Sequence, residues 1–90
     1  MNKGDLINKV AEEANITKSQ ATEALNSVFN IIGETLADGD KVSLVGFGTF
    51  SSNHRKARVG RNPKTGEALQ IAAKNVVKFK PGKELASAVN

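Results

Sequence analysis

The sequence predicts an α+β fold: an N-terminal helical hairpin, antiparallel strands that carry a long β-hairpin arm, and a short C-terminal helix. Three observations carry that prediction. Apolar residues follow helical spacing as far as Asp38-Gly39-Asp40, and beyond it they cluster around glycines. The stretch from Ser51 to Lys74 nearly lacks hydrophobic residues on its outgoing side. At its centre, Asn62-Pro63-Lys64-Thr65-Gly66 has turn chemistry, with Pro fixing one φ and Gly able to take a positive one.

Each element has its own signals. Asn2 is a helix cap, and Asp5 lies three residues on, where a carboxylate favours a helix N-terminus. Leu6, Ile7, Val10, Ala11 and Ala14 then form one apolar stripe that Asn15 stops. Thr17-Lys18-Ser19-Gln20 matches a capping box. Behind it Ala21, Ala24, Leu25, Val28, Phe29, Ile32 and Leu36 trace a longer stripe, which Ile31 widens toward a second neighbour. Gly39 suits the left-handed stop. Val42 and Leu44, then Phe47 and Phe50 around Gly46 and Gly48, read as a strand, a tight turn and a second strand. Gly46-Phe47-Gly48 is not a dinucleotide loop, because no third glycine and no helix follow it. Pro81-Gly82 opens the last helix, with Lys83, Leu85, Ala86 and Val89.

Pairing the arm about Lys64 sets Val59 against Leu69, Ala57 against Ile71 and Arg61 against Glu67, and a slip of one would reverse its faces. A two-stranded hairpin with no core behind it is unstable alone, so a mobile arm that orders against a partner is expected. An ordinary long surface loop is the competing reading.

Composition excludes several classes. Ninety residues make one small domain, and 39% hydrophobic content makes a thin core. With no Cys and one His, disulfides, thiolate chemistry and a single-chain cysteine or multi-histidine metal site are ruled out, leaving oligomerisation to stabilise the fold. No nucleophile, base and orienting group occur together, so no catalytic residue, cofactor, metal or small-molecule substrate is expected. No apolar run approaches the ~18 residues of a membrane span, and the opening Met1-Asn2-Lys3-Gly4-Asp5 lacks a signal-peptide layout. A cytoplasmic protein with no membrane partner is expected.

Charge is informative once split. Through Asp40 three lysines face seven carboxylates, a net −4; from Lys41 onward ten cations face Glu67 and Glu84, a net +8. That asymmetry points to a polyanion, nucleic acid before membrane, although a basic face kept for solubility fits charge alone equally well. Arg55, Arg58 and Arg61 recur every third residue, with Lys56 and Lys64 among them. Arginine enters the narrow minor groove, and lysine and arginine both take phosphates. Pro63 at the tip is rigid, apolar and lacks an N–H, which suits a wedge between base pairs as well as a turn. Phe29, Phe47, Phe50 and Phe79 lie outside the arm and read as core or subunit interface, which weighs against a base-stacking module. His54 reads as a surface residue near the arm base.

Gly46-Phe47-Gly48-Thr49-Phe50, then Arg55, Arg58 and Gly60-Arg61-Asn62-Pro63-Lys64-Thr65-Gly66, closely resemble the signature of bacterial histone-like HU proteins, and the resemblance runs the length of the chain. It implies an intertwined dimer, a helical base beneath a saddle of three-stranded antiparallel sheet, and two arms embracing duplex DNA. It divides the chain into a dimerisation base (1–39), saddle strands (41–54 and 74–80), a DNA-binding arm (55–73) and a terminal helix (82–90). By position, Pro63 is the intercalating wedge, with Arg61 and Asn62 beside it in the minor groove. Arg55, Arg58, Lys64 and Lys74 line the arm, and Lys3, Lys80 and Lys83 hold flanking phosphates. Phe29, Leu36, Leu44, Phe47, Phe50 and Phe79 build the shared dimer core.

The resemblance further implies a nucleoid-associated protein that bends, wraps and condenses DNA with little sequence preference and favours kinked or nicked duplexes. Its partner subunit is a second copy or a paralogue. A site-specific subunit of the integration-host-factor type, or a basic RNA-binding protein, is the alternative. The chain departs from the pattern in two places: Val77 stands where many relatives have proline, and Val59 replaces a commonly polar residue.

Overall fold

In a computed structural model that describes all 90 residues, helix α1 spans Lys3–Ala14 and α2 spans Lys18–Ala37. Local hydrogen bonds start and stop both. The Asp5 N–H donates to Asn2 Oδ1 at 2.9 Å and the Asn2 N–H to Asp5 Oδ2 at 3.1 Å, a full capping box where the sequence argued only for a cap and a well-placed carboxylate. Thr17 and Gln20 make the same reciprocal pair, at 3.1 and 3.0 Å, and open α2 as expected.

Each helix ends on the crossed bonds of a Schellman motif. Asn15 takes the left-handed conformation at φ 55°, and the Ile16 N–H returns to Ala11 O at 3.0 Å. After α2, Gly39 donates to Leu36 O and Asp40 to Thr35 O, at 3.0 and 3.1 Å.

The chain forms two compact units, Met1–Glu34 and Thr35–Asn90. In the first, Ala11 and Ala21 are the buried apolar residues, one on each side of the Asn15–Thr17 connection. Leu6, Ile7, Val10, Leu25 and Ile32 are half-buried, while Val28, Phe29 and Ile31 lie exposed.

The second unit holds a sheet of β1 (Val42–Leu44), β2 (Gly48–Arg55) and β5 (Lys74–Pro81), antiparallel in the order β1-β2-β5. Its β1–β2 turn closes with Phe47 N–H on Leu44 O at 2.9 Å. Gly48 is required there by space: a Cβ would lie 2.5 Å from Phe79 Cζ and 2.7 Å from Lys80 O. Leu36 is buried, and its carbonyl accepts the Ser52 hydroxyl at 3.2 Å. The last helix, α3, is Lys83–Ala88.

Strands β3 (Arg58–Arg61) and β4 (Ala68–Ile71) form the separate two-stranded arm. Its register corrects the expected one by a single residue: Val59 faces Gln70, not Leu69; Arg58, not Ala57, faces Ile71; and Arg61 faces Ala68, not Glu67. The tip explains the shift. Asn62 donates its N–H to Glu67 O at 2.8 Å, so the loop is Pro63 to Gly66 and the pivot falls between Lys64 and Thr65. Four-residue hairpin loops are commonly built around a type I turn, and Gly66, at φ +75°, supplies the left-handed residue that returns the chain.

Candidate nucleic-acid interface

The arm tip is tied together by Asn62. Its side-chain Oδ1 accepts the Lys64 N–H at 2.9 Å, its carbonyl accepts the Gly66 N–H at 2.7 Å, and it is half-buried. Thr65 Oγ1 accepts the Glu67 N–H at 3.3 Å, and Arg61 Nη1 donates to Gly66 O at 3.3 Å. Pro63 and Lys64 stand exposed at the end of this braced loop. Asn62 was expected beside the wedge as a groove contact. The structure gives it a prior task, since its carbonyl oxygens are committed to the turn and its side-chain NH2 makes no hydrogen bond within the chain.

The strand period sorts the cations by face. Arg58 and Arg61 are three apart on β3, so they project from opposite faces of the arm. Arg58 shares its face with Leu69 and Ile71, and Arg61 shares its face with Val59, Ala68 and Gln70. Both sides of the ribbon therefore carry an arginine among small or apolar side chains.

At the root, Arg55 pairs with Lys74 across β2 and β5. On that same face Thr49 pairs with Lys80, Ser51 with Lys78 and Asn53 with Val76, so Arg55, Lys74, Lys78 and Lys80 share one face, with the half-buried Val76 between Lys74 and Lys78. The opposite face runs from Phe50–Phe79 through Ser52–Val77 to His54–Asn75, where His54 Nδ1 lies 2.9 Å from Asn75 Oδ1. Lys78, which was not among the binding candidates, shares the face of Arg55 and Lys74. Lys74, Lys78 and Lys80 share one parity of a single strand.

Lys83, the first residue of α3, is near Lys80, and the two line a shallow cavity with Ser43, Thr49 and the β1–β2 turn. Lys3 belongs to the first unit, where its Nζ lies 5.7 Å from the centroid of the Phe29 ring. That contact brings together a predicted phosphate ligand and a predicted interface residue.

Of the six residues assigned to the dimer core, only Leu36 is buried in the single chain. Phe79 stacks at 4.7 Å from Phe50 and 5.4 Å from Phe47, so the three rings form one cluster. Yet Phe47 is 46% exposed, Phe29 43%, Leu44 40% and Phe79 39%. The departure at Val77 leaves the β2–β5 ladder unbroken, with Val77 opposite Ser52, and leaves Val77 exposed. Val59 is exposed on the arm and adds to its apolar surface.

Comparison with known proteins bears on this arrangement. The pattern of a family described as "Bacterial DNA-binding protein" matches residues 1–90. The chain is 54% identical over 89 residues to the DNA-binding protein HU-alpha of Vibrio cholerae, covering 99% of each. It is 53% identical to the DNA-binding protein HU 1 of Bacillus subtilis, covering 99% of this chain and 97% of that one. Among solved structures, it resembles the Anabaena HU protein in an HU–DNA cocrystal with a TM-score of 0.88 at 50% identity, covering 99% and 97% of the two chains. HU from Thermotoga maritima superimposes with a TM-score of 0.71 at 33% identity over the whole of both chains. A family match over every residue, relatives of this identity and length, and an arm built as the motif implied together establish that the chain belongs to the bacterial DNA-binding protein family, with the HU proteins as its relatives.

Proposed function

We propose that the chain is an architectural DNA-binding protein that acts as a dimer and uses its two arms to grip and bend duplex DNA in the minor groove. One observation carries the reading: an exposed proline caps a ribbon with arginines on both faces and no core behind it. Pro63 is the wedge, and the bonds around Asn62 hold it stiff against the bases it separates. Arg61, Arg58 and Lys64 follow the groove; Arg55, Lys74, Lys80, Lys83 and Lys3 hold phosphates. Minor-groove insertion reads little beyond A·T against G·C, so sequence preference is weak. Unstacking costs a few kcal/mol per step, part of which is spared on DNA already nicked or kinked.

Dimerisation is supported by the apolar surface that a single chain leaves open at Phe29, Leu44, Phe47 and Phe79. The Vibrio, Bacillus and Anabaena relatives are named as DNA-binding or DNA-bound proteins, which supports a binding role without catalysis. A place in the cytoplasm on the nucleoid follows from that role. No helix is long and apolar enough to cross a membrane.

The test is Pro63→Ala assayed by gel shift on nicked and intact duplexes of one sequence. The wild type is expected to prefer the nicked duplex and the variant to lose that preference while still binding. An undiminished preference in the variant contradicts the wedge.

A further inference from the structure

Of the two faces of the sheet at the arm root, one carries Arg55 and Lys74, and the other ends on His54 opposite Asn75. His54 is the one histidine of the chain; it is exposed, and its Nδ1 lies 2.9 Å from Asn75 Oδ1. A carbonyl oxygen only accepts a hydrogen bond, so Nδ1 carries the proton in that pair. The bond thereby selects the tautomer and leaves Nε2 as the ring atom that gains or loses a proton. A neutral ring turns the Nε2 lone pair outward, which repels a phosphate oxygen. A protonated ring offers an N–H and a positive charge at the same place.

The neighbours decide what that charge meets. β1 ends its pairing at Phe50, so β2 and β5 are the strands that flank the ring. Across from it stands Asn75, with Ala73 and Val77 two residues to either side, and none of these titrates. Arg55 and Lys74 belong to the opposite face. Lys56 and Arg58 follow His54 at two-residue steps of about 6.8 Å. The register shared by Arg55–Lys74 and Arg58–Ile71 keeps the alternation in phase, so both lie on His54's own side of the ribbon. No carboxylate occurs from Gly48 to Arg61 or from Ala68 to Pro81. A protonated His54 therefore has no anion on these strands to pair with. It extends the line of Lys56 and Arg58 by one charge, an arrangement that repels itself until a polyanion runs alongside.

We propose that His54 is a proton-operated phosphate contact: duplex DNA draws a proton onto Nε2, and the arm root grips more tightly in acid than in alkali. The inference rests on the DNA-binding reading above and adds to it a pH dependence that does not pass through Pro63. The protonated ring binds and the neutral one does not, so affinity rises as pH falls across the span from about 8 to about 5 in which histidines change charge.

Wild type, His54→Gln and His54→Arg are to be titrated calorimetrically with one intact duplex, at several pH values from about 5.5 to about 7.5. Each titration is run over a range of salt and in two buffers of different ionisation heat. The wild type is expected to take up protons on binding, and its slope of log affinity against log salt to be steeper by about 1 per subunit at the acid end. His54→Gln is expected to lose the uptake and keep the shallow slope throughout, while His54→Arg keeps the steep slope at every pH. Proton uptake in His54→Gln equal to that of the wild type overturns the contact, as does a His54→Arg slope that stays shallow. A wild type that fails to bind the duplex at any pH sinks the DNA-binding reading itself. Salt-dependent wild-type binding that ignores pH sinks this inference alone.

Discussion

Pro63 and Asn62 make different contributions to the arm tip. Proline supplies a rigid apolar surface; Asn62 folds the loop that presents it. Turn chemistry was legible in Asn62-Pro63-Lys64-Thr65-Gly66, but the consumption of Asn62's own oxygens was not, because it depends on which backbone N–H groups the loop brings within reach. Gly66→Ala forces a side chain into the left-handed region, at a cost of about 1–2 kcal/mol confined to the arm. Weaker binding to nicked DNA with an unchanged melting temperature is the expected outcome, from titration and calorimetry together. Gly48→Ala is a different kind of lesion. It drives a methyl into Phe79 and the Lys80 carbonyl, and denaturant unfolding is expected to register a loss of about 1–3 kcal/mol.

Among the elements, the helices were the most legible because their boundaries are local chemistry. Thr17 and Gln20 lie three residues apart, and nothing distant is needed for them to exchange hydrogen bonds. Thr17→Ala removes the acceptor for the Gln20 N–H and is expected to lower stability by about 1 kcal/mol in denaturant unfolding. Strand register was less legible, since one residue of loop length changes every partner.

Arg55 opposite Lys74 and Arg58 opposite Ile71 belong to one common register, which passes unchanged through the unpaired residues 56–57 and 72–73. Ala57 and Ala72 occupy that gap, and alanines give little cross-strand support.

At the scale of the whole molecule, a 90-residue chain whose buried apolar residues are Ala11, Ala21 and Leu36 has a thin core of its own. The sequence made the need for a partner visible through the thin core and missing disulfides. It did not reveal which aromatic rings stay uncovered, because that depends on how each chain shares Phe47, Phe50 and Phe79 within its own cluster. If folding and association are coupled, the melting temperature rises with protein concentration. A constant value across a hundredfold range of concentration contradicts that coupling. Phe79→Ala, which removes the ring both neighbours touch, is expected to favour dissociated, unfolded chain in sedimentation and circular dichroism.

On the proposed reading, the basic half of the chain, net +8 from Lys41 onward, meets DNA, and a pair of subunits brings two such halves to one duplex. Energy transfer between dyes at the two ends of a nicked duplex reads that engagement directly. Addition of the wild type is expected to bring the ends together, and Pro63→Ala, at saturating concentration, to leave them nearly as far apart as in free DNA. Equal shortening by both proteins contradicts the claim that the proline at the arm tip bends the duplex.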